Sequence, residues 1–314
     1  MSSLLRVLAA FVVGALFATT ADAARVAVFA NALAAQTAAD YTVKIPGHTF
    51  TGIDISTTVP SLDVLLANFD VILLFEDTVF PNSTAVCNRA AEFANAGRAV
   101  VLGTFYDQDR SDAVGGTTVP HGWGALETID PNTTDGVGTS YAVRTLAPAS
   151  IVNHALTQGI TSLAALRGAP GPYAGGNQAK PGTIVVASWQ QPNARGQQDP
   201  AIAYRVTGAA CVIHIGIAPQ YGVVANFGTY GTDFSGDFYR AWENAFEFGA
   251  AHCVGGVIPG DFGQIAVGWA SRSALDFWRT RFSFAIVLDG RFLQPGFGPA
   301  LQLTTRPDGR IAAS

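Results

Sequence analysis

Lysine is nearly missing from this chain of 314 residues: it occurs only at Lys44 and Lys180, and the formal net charge is −5. With no basic run and no positive excess, there is no electrostatic footprint for nucleic acid, and none is expected as a partner. Cysteine is scarce too, at Cys87, Cys211 and Cys253. No Cys-x-x-Cys or Cys/His spacing joins them, which argues against a zinc site. Beyond the first 23 residues there is no apolar run long enough to span a bilayer, since 282–288 covers only seven residues. No internal repeat is visible. Charged residues make up 13% of the chain, against many Gly, Thr, Ala and Asn, a globular and exported composition.

Residues 1–23 read as a secretory signal peptide. Arg6 gives the positive start, 7–18 the short apolar centre, and Ala21-Asp22-Ala23 a small-residue cleavage site. Cleavage after Ala23 predicts a mature chain in the periplasm or outside the cell, without a transmembrane segment. In such a compartment the odd cysteine count leaves at least one thiol unpaired within the chain. A Cys211–Cys253 disulfide and simple burial of both residues are equally open.

The plainest part of the pattern is 69–106. Val71-Ile72-Leu73-Leu74-Phe75 is an almost unbroken apolar strand ending at Glu76-Asp77, as suits a parallel strand covered on both faces. Pro81, Asn82, Ser83 and Thr84 signal a helix start. Val86, Ala90, Phe93 and Ala94 share its inner face, and Gly97 ends it with a left-handed cap. Residues 99–105 form the next strand. Before this unit lie a strand at 25–30 ending at Asn31, a helix at 32–40, a strand at 48–54 and a helix at 60–68 capped by Ser61. Such alternation predicts a doubly wound, mostly parallel α/β sheet. After a long irregular insertion over 106–145, strands at 183–189, 201–205 and 211–217 are too closely spaced for helices between them, which predicts an antiparallel extension. A helix at 238–251 closes the domain with Phe238, Trp242, Ala245, Phe246 and Gly249 inward. The domain is placed at 24–253. The remaining 254–314, with six Arg, four Asp and neither Lys nor Glu, is expected to be a loosely packed C-terminal tail.

Four stretches carry a resemblance to a known family: Phe69-Asp70-Val71-Ile72-Leu73-Leu74, Gly97-Arg98-Ala99-Val100-Val101-Leu102-Gly103, His154-Ala155-Leu156-Thr157-Gln158-Gly159-Ile160 and Phe238-Tyr239-Arg240-Ala241-Trp242-Glu243-Asn244-Ala245. In this order they resemble the class I glutamine amidotransferase-like superfamily, and within it the ThuA-like group linked to trehalose utilisation. The resemblance implies a flavodoxin-like sheet, with a nucleophilic cysteine on a strained elbow directly after the strand at 99–103. Here Phe105 takes the place of that nucleophile, and Phe has no reactive atom. Thr104 is a poor substitute, lacking a following glycine and a nearby histidine. The histidines that ThuA-like proteins tend to carry near this elbow and after the late strand correspond to Phe105 and Ala218. His214, within its strand, reads as a core histidine, and His154 as the holder of a turn.

Acids and rings remain at the sheet edge. Glu76 and Asp77 from one strand end face Asp107, Asp109, Arg110 and Asp112 from the next. Glu76, Asp107 and Asp109 are the candidates for acid and base work on a sugar, and Asp107, Asp109 and Asp112 for holding Ca²⁺ through oxygen ligands. No other cofactor is indicated. The ligand-binding candidates are Asn31, Glu76, Tyr106, Asp107, Trp123 and Trp189, the aromatics among them suited to stacking on sugars or on a partner surface. The expectation is therefore a secreted, non-catalytic amidotransferase-like domain that binds carbohydrate or a cell-surface component. A glycan-acting hydrolase using the acidic cluster and a surface structural protein without a small ligand are the alternatives.

Overall fold

The computed structural model describes residues 23–75, 82–104, 124–134, 143–166, 177–192, 196, 198–222 and 234–252, and four short strands beyond them. The chain divides into two compact units, Met1–Ile258 and Pro259–Ser314. The second contains two antiparallel strand pairs, β13 (Val287–Leu288) with β14 (Arg291–Phe292), and β15 (Leu303–Thr305) with β16 (Ile311–Ala313).

The first unit is a mixed seven-stranded sheet flanked by helices. In chain order its leading elements are β1 (Arg25–Ala30), α1 (Ala34–Lys44), β2 (Thr49–Asp54), α2 (Leu62–Asn68), β3 (Val71–Leu74), α3 (Ser83–Asn95) and β4 (Ala99–Gly103). After them come β5 (Asn132–Thr134), β6 (Arg144–Thr145), β7 (Leu163–Ala165) and β8 (Asn177–Ala179). The unit ends with β9 (Ile184–Pro192), β10 (Gln198–Thr207), β11 (Ala210–Ile215), β12 (Phe234–Gly236) and α4 (Phe238–His252). The sheet order is β2-β1-β3-β4-β11-β10-β9, while β12-β7-β6 form a separate antiparallel sheet. Strands β2, β1, β3, β4 and β11 run parallel, and β10 runs antiparallel to both of its neighbours, β11 and β9. This is the flavodoxin-like α/β order with an antiparallel extension, as the alternation of elements predicts.

The period-two alternation of each strand splits the core in two. Val26, Val28, Val71, Leu73, Val101 and Ile213 pack with Tyr41 of α1 and Trp242 and Phe246 of α4. Ala27, Phe29, Ile72, Leu74, Val100 and Leu102 pack with Leu65 of α2 and Val86, Ala90 and Phe93 of α3. The all-buried strands β3 and β4 explain their unbroken apolar sequence, since both faces meet helices.

Helix ends follow local chemistry. Ser61 caps α2 by accepting from the Val64 N–H at 3.4 Å. Gly97, at φ 84°, ends α3: its N–H donates to the Ala94 carbonyl and the Arg98 N–H to that of Phe93, the paired bonds of a Schellman cap. The helix α1 runs to Lys44 rather than stopping near residue 40, because no glycine or proline interrupts it before Pro46 and Tyr41 is buried on its inner face. The hairpin β9–β10 is longer than the apolar runs suggest. It reaches Pro192 and Gln198, with Gly196 between them at φ 77°.

Candidate functional site

In a sheet of this order, ligands bind outside the carboxyl ends of the parallel strands, at the switch between β1 and β3. The described residues at that edge are Asn31 after β1, Asp54 at the end of β2, Phe75 after β3, Thr104 after β4 and Gly216 after β11. Leu74 lies opposite Leu102 in the ladder, so Phe75 and Thr104 leave the sheet from neighbouring strands. Glu76, Tyr106, Asp107, Asp109, Asp112 and Trp123, with Phe105, lie outside the described residues.

The carboxyl end of β4 is filled from above. A Cβ added at Gly103 would stand 2.6 Å from Cδ of Pro219 and 3.1 Å from the Trp242 ring, so only glycine fits beneath them. Pro219 is fixed in turn, because the buried Tyr41 hydroxyl donates to its carbonyl at 3.2 Å. Thr104 is 0% exposed, and its hydroxyl has no hydrogen-bond partner among the described residues. A nucleophile needs the opposite arrangement: an exposed oxygen or sulfur beside a base.

A cavity of about 210 Å³ opens at the β1–β2 side of the same edge, lined by Ala30, Leu33, Ala35, Gln36, Gly52 and Asp54 among others. Its floor is a close approach of backbones: a Cβ at Gly52 would lie 2.6 Å from both N and Cα of Ala35. The turn into α1 is tight enough to hold Leu33 at φ 60°, a left-handed conformation uncommon for a non-glycine residue. Asp54 accepts from the Ser56 N–H at 2.9 Å and its hydroxyl at 2.6 Å, bonds that hold its carboxyl below the usual range. Asn31 is half-buried just before this cavity. Sequence reasoning passed over Asp54; the available signal was an acid at the last residue of a strand next to the first.

The β11 side of the edge is a buried polar corner. His214 is 0% exposed, and burial lowers its pKa to about 4 despite a hydrogen bond with the Pro200 carbonyl. At Gly216 an added Cβ would meet Trp189 Nε1 at 2.9 Å, the Pro200 oxygen at 3.1 Å and His214 Nε2 at 3.2 Å. Here Trp189 needs a correction: it is 0% exposed within β9 and has no face open to solvent, so it does not serve as a stacking platform for a sugar. It looked like an edge-loop residue because the polar Gln190, Gln191 and Pro192 follow it, yet these still belong to the strand.

His154 holds a turn. Its Nδ1 accepts from the Leu156 N–H at 3.1 Å, while Thr157 Oγ1 accepts from the His154 N–H at 3.2 Å, a reciprocal cap. Its ring stacks on Tyr204 at 5.2 Å. Cys211 is disulfide-bonded and Cys87 is a buried thiol, whereas Cys253 lies outside the described residues. Among the described residues no group of three or more His, Cys, Asp or Glu could hold a metal ion, and no helix is long and apolar enough to cross a membrane.

No protein-family model matches the chain, and no curated protein sequence does. Among solved structures it is similar to a ThuA-like protein from Bacteroides uniformis, at 11% identity and TM-score 0.39, covering 71% of this chain and 89% of that one. It is also similar to the carbohydrate deacetylase Agd3, at 14% identity and TM-score 0.43 over 72% of this chain. A third similarity is to a β-galactosidase from Rahnella sp. R3, at 14% identity and TM-score 0.37 over 70% of this chain. The aligned region spans 32% and 30% of those two longer chains. At such identities and superposition scores the likeness carries no argument about what this chain does.

Proposed function

We propose that the chain is an exported, non-catalytic amidotransferase-like domain that binds carbohydrate or a cell-surface component over the carboxyl edge of its sheet. The observation that carries this is the filled carboxyl end of β4. Gly103 is roofed by Pro219 and Trp242, and Thr104 is wholly buried, so neither of these two residues offers a nucleophile to solvent. Phe105 follows it in sequence. What the described edge retains is a recess lined in part by Asp54, with Asn31 just before it in the chain; in sequence, 76–81 and 105–123 supply polar and aromatic residues after the neighbouring strands. These features suit holding a polyhydroxylated ligand, through hydrogen bonds to its hydroxyls and a ring against its apolar face.

Carbohydrate is the preferred ligand class because of the ThuA-like motifs and the aromatics Tyr106 and Trp123. A glycan array with the exported chain tests it, followed by titration of any hit against Trp123→Ala and Asn31→Ala. Binding weakened tenfold or more by either substitution supports the proposal. An array without hits removes it. Turnover of a glycosidic substrate that is lost in Asp107→Asn plus Asp109→Asn would move the function to the acidic cluster, and dependence of either activity on Ca²⁺ would place Asp107, Asp109 and Asp112 around a metal.

A further inference from the structure

Exposure changes abruptly at one peptide bond near the start of the fold. Residue 23 is exposed, whereas Ala24 is 1% exposed. The Ala24 carbonyl accepts from the Thr49 N–H at 3.0 Å, tying it to the start of β2. Its N–H donates to Nδ1 of His48 at 3.0 Å. His48 is itself 7% exposed, set edge-on to the rings of Phe50 at 6.3 Å and Phe246 at 6.2 Å. The carboxylates of Glu243 and Glu247, both on α4, act on it electrostatically. Burial holds the His48 pKa below its usual value, which leaves Nδ1 an acceptor at neutral pH. This acceptor sits at the amino end of β1, the sheet edge opposite the candidate ligand site.

The bond at this boundary, Ala23–Ala24, is also the one the small-residue motif Ala21-Asp22-Ala23 marks for cleavage. We propose that the fold contains a built receptor for its own mature amino terminus, in which the α-ammonium group of Ala24 donates to His48 Nδ1 under the negative field of Glu243 and Glu247. This rests on the export part of the function proposed above. In the cleavage, water adds hydroxide to the Ala23 carbonyl carbon, the C–N bond breaks, and the Ala24 nitrogen takes the remaining proton and one more from solvent. One N–H keeps the bond to His48. The others point where Ala23 had been, a direction already open to water. The strand behind Ala24 is central, between β2 and β3, so docking of the new terminus completes the amino end of the β1–β2 pair.

The near absence of lysine makes this directly measurable. The mature chain has three amines: the Ala24 α-amine, Lys44 Nζ and Lys180 Nζ. A free α-amine titrates near about 7.7–8.0 and a lysine near about 10.4, so an undocked terminus reacts with amine reagents at pH 7 roughly a hundredfold faster than an exposed lysine. The experiment is intact-mass and peptide mapping of the exported protein, then timed reductive methylation at pH 7 with the exposed Lys44 as internal reference. A terminus at Ala24 that labels no faster than Lys44, with labelling at least tenfold faster in His48→Ala and protection restored in His48→Asn, is the expected result. The Asn Oδ1 can accept in place of Nδ1. Urea-unfolded wild type gives the intrinsic rates should His48→Ala not fold. A terminus elsewhere, or an Ala24 amine labelling at its unfolded rate in the native protein, overturns the proposal. Glycan binding is read separately in the same variants, so loss of one reading leaves the other standing.

Discussion

Asn244, on the inner side of α4, donates from Nδ2 to the Gln158 carbonyl at 2.9 Å, joining two stretches 86 residues apart in sequence. The same amide reaches the Leu156 carbonyl at 3.2 Å, and Arg240 Nε donates to Gln158 as well. At its start α4 is tied to the next part of the same segment, where Asp237 accepts from the N–H groups of Thr161 and Ser162. The closing helix thus clasps the turn that His154 caps. Asn244 is 1% exposed, so Asn244→Leu leaves the buried Leu156 carbonyl without this donor and is expected to cost about 1–3 kcal/mol. Urea unfolding reads this as a lower midpoint at unchanged slope.

Two buried or bridged groups, His214 and Asp70, contribute to the acid limb of stability in separate windows. His214 titrates at about 4 in the fold against 6.5 when exposed. Its depressed folded value means that the unfolded chain takes the proton first. The stabilisation is complete above pH 6.5 and is lost as pH falls to about 4. Asp70 acts lower. It accepts from Arg25 N, Nε and Nη2 and from Arg98 Nη1, and the Arg25 bonds lead in holding its carboxyl below 3.8. Its contribution is present above the unfolded value and lost as pH falls through the folded one. Thermal melts from pH 8 to pH 2 should show His214→Gln flattening the upper window alone and Asp70→Asn the lower.

Gly52 is limited by backbone, and this makes its substitution costly. An added methyl would stand 2.6 Å from N and Cα of Ala35, atoms that cannot swing aside as a flexible side chain can. Gly52→Ala is expected to destabilise by about 1–3 kcal/mol, the range for overpacking, and to shift α1 outward from β2. A lower urea midpoint with altered amide exchange in 34–38 would register both effects. Gly47→Ala, whose added Cβ meets nothing within 4 Å and whose φ lies outside the left-handed region, is the control for generic glycine loss.

The sheet was legible in the sequence because β1, β3 and β4 are covered on both faces and so are written as plain apolar runs. Gly97 and Ser61 were legible because caps are local chemistry. The site was legible only in part. That Gly103 lies under Pro219 and Trp242, or Gly52 against Ala35, depends on the sheet order and on helices seated across it, which no local pattern encodes. Trp189 was misjudged for a related reason: a tryptophan followed by polar residues resembles a loop ring, until the hairpin partner β10 extends the strand past it.

Cys211 sits in β11 at 1% exposure and is disulfide-bonded. A bond to Cys253, just past α4, would staple the closing helix to the sheet. Non-reducing peptide mapping should join the Cys211 and Cys253 peptides, with Cys87 alkylated only after unfolding. Reduction should then cost about 2–4 kcal/mol, seen as a lower melting temperature, and Cys87→Ala should leave that difference unchanged.

Thr104 distinguishes a packed elbow from a chemical one, because two conservative substitutions there have opposite consequences under the two roles. Its hydroxyl is buried without a partner among the described residues, a situation that costs about 1–3 kcal/mol relative to a satisfied group. Valine keeps the shape and removes the polar atom. If Thr104 only fills space beneath the edge, Thr104→Val should raise stability by about 1 kcal/mol. Thr104→Ser, which keeps the hydroxyl but loses a methyl, should lower it by about 1 kcal/mol through the void it leaves. A nucleophile would rank them the other way in turnover: serine would retain activity and valine would abolish it. Urea midpoints for both variants, alongside assays on ester and glycosidic substrates, separate the two. With the oxygen sealed from solvent at 0% exposure, the packing order is the expected one.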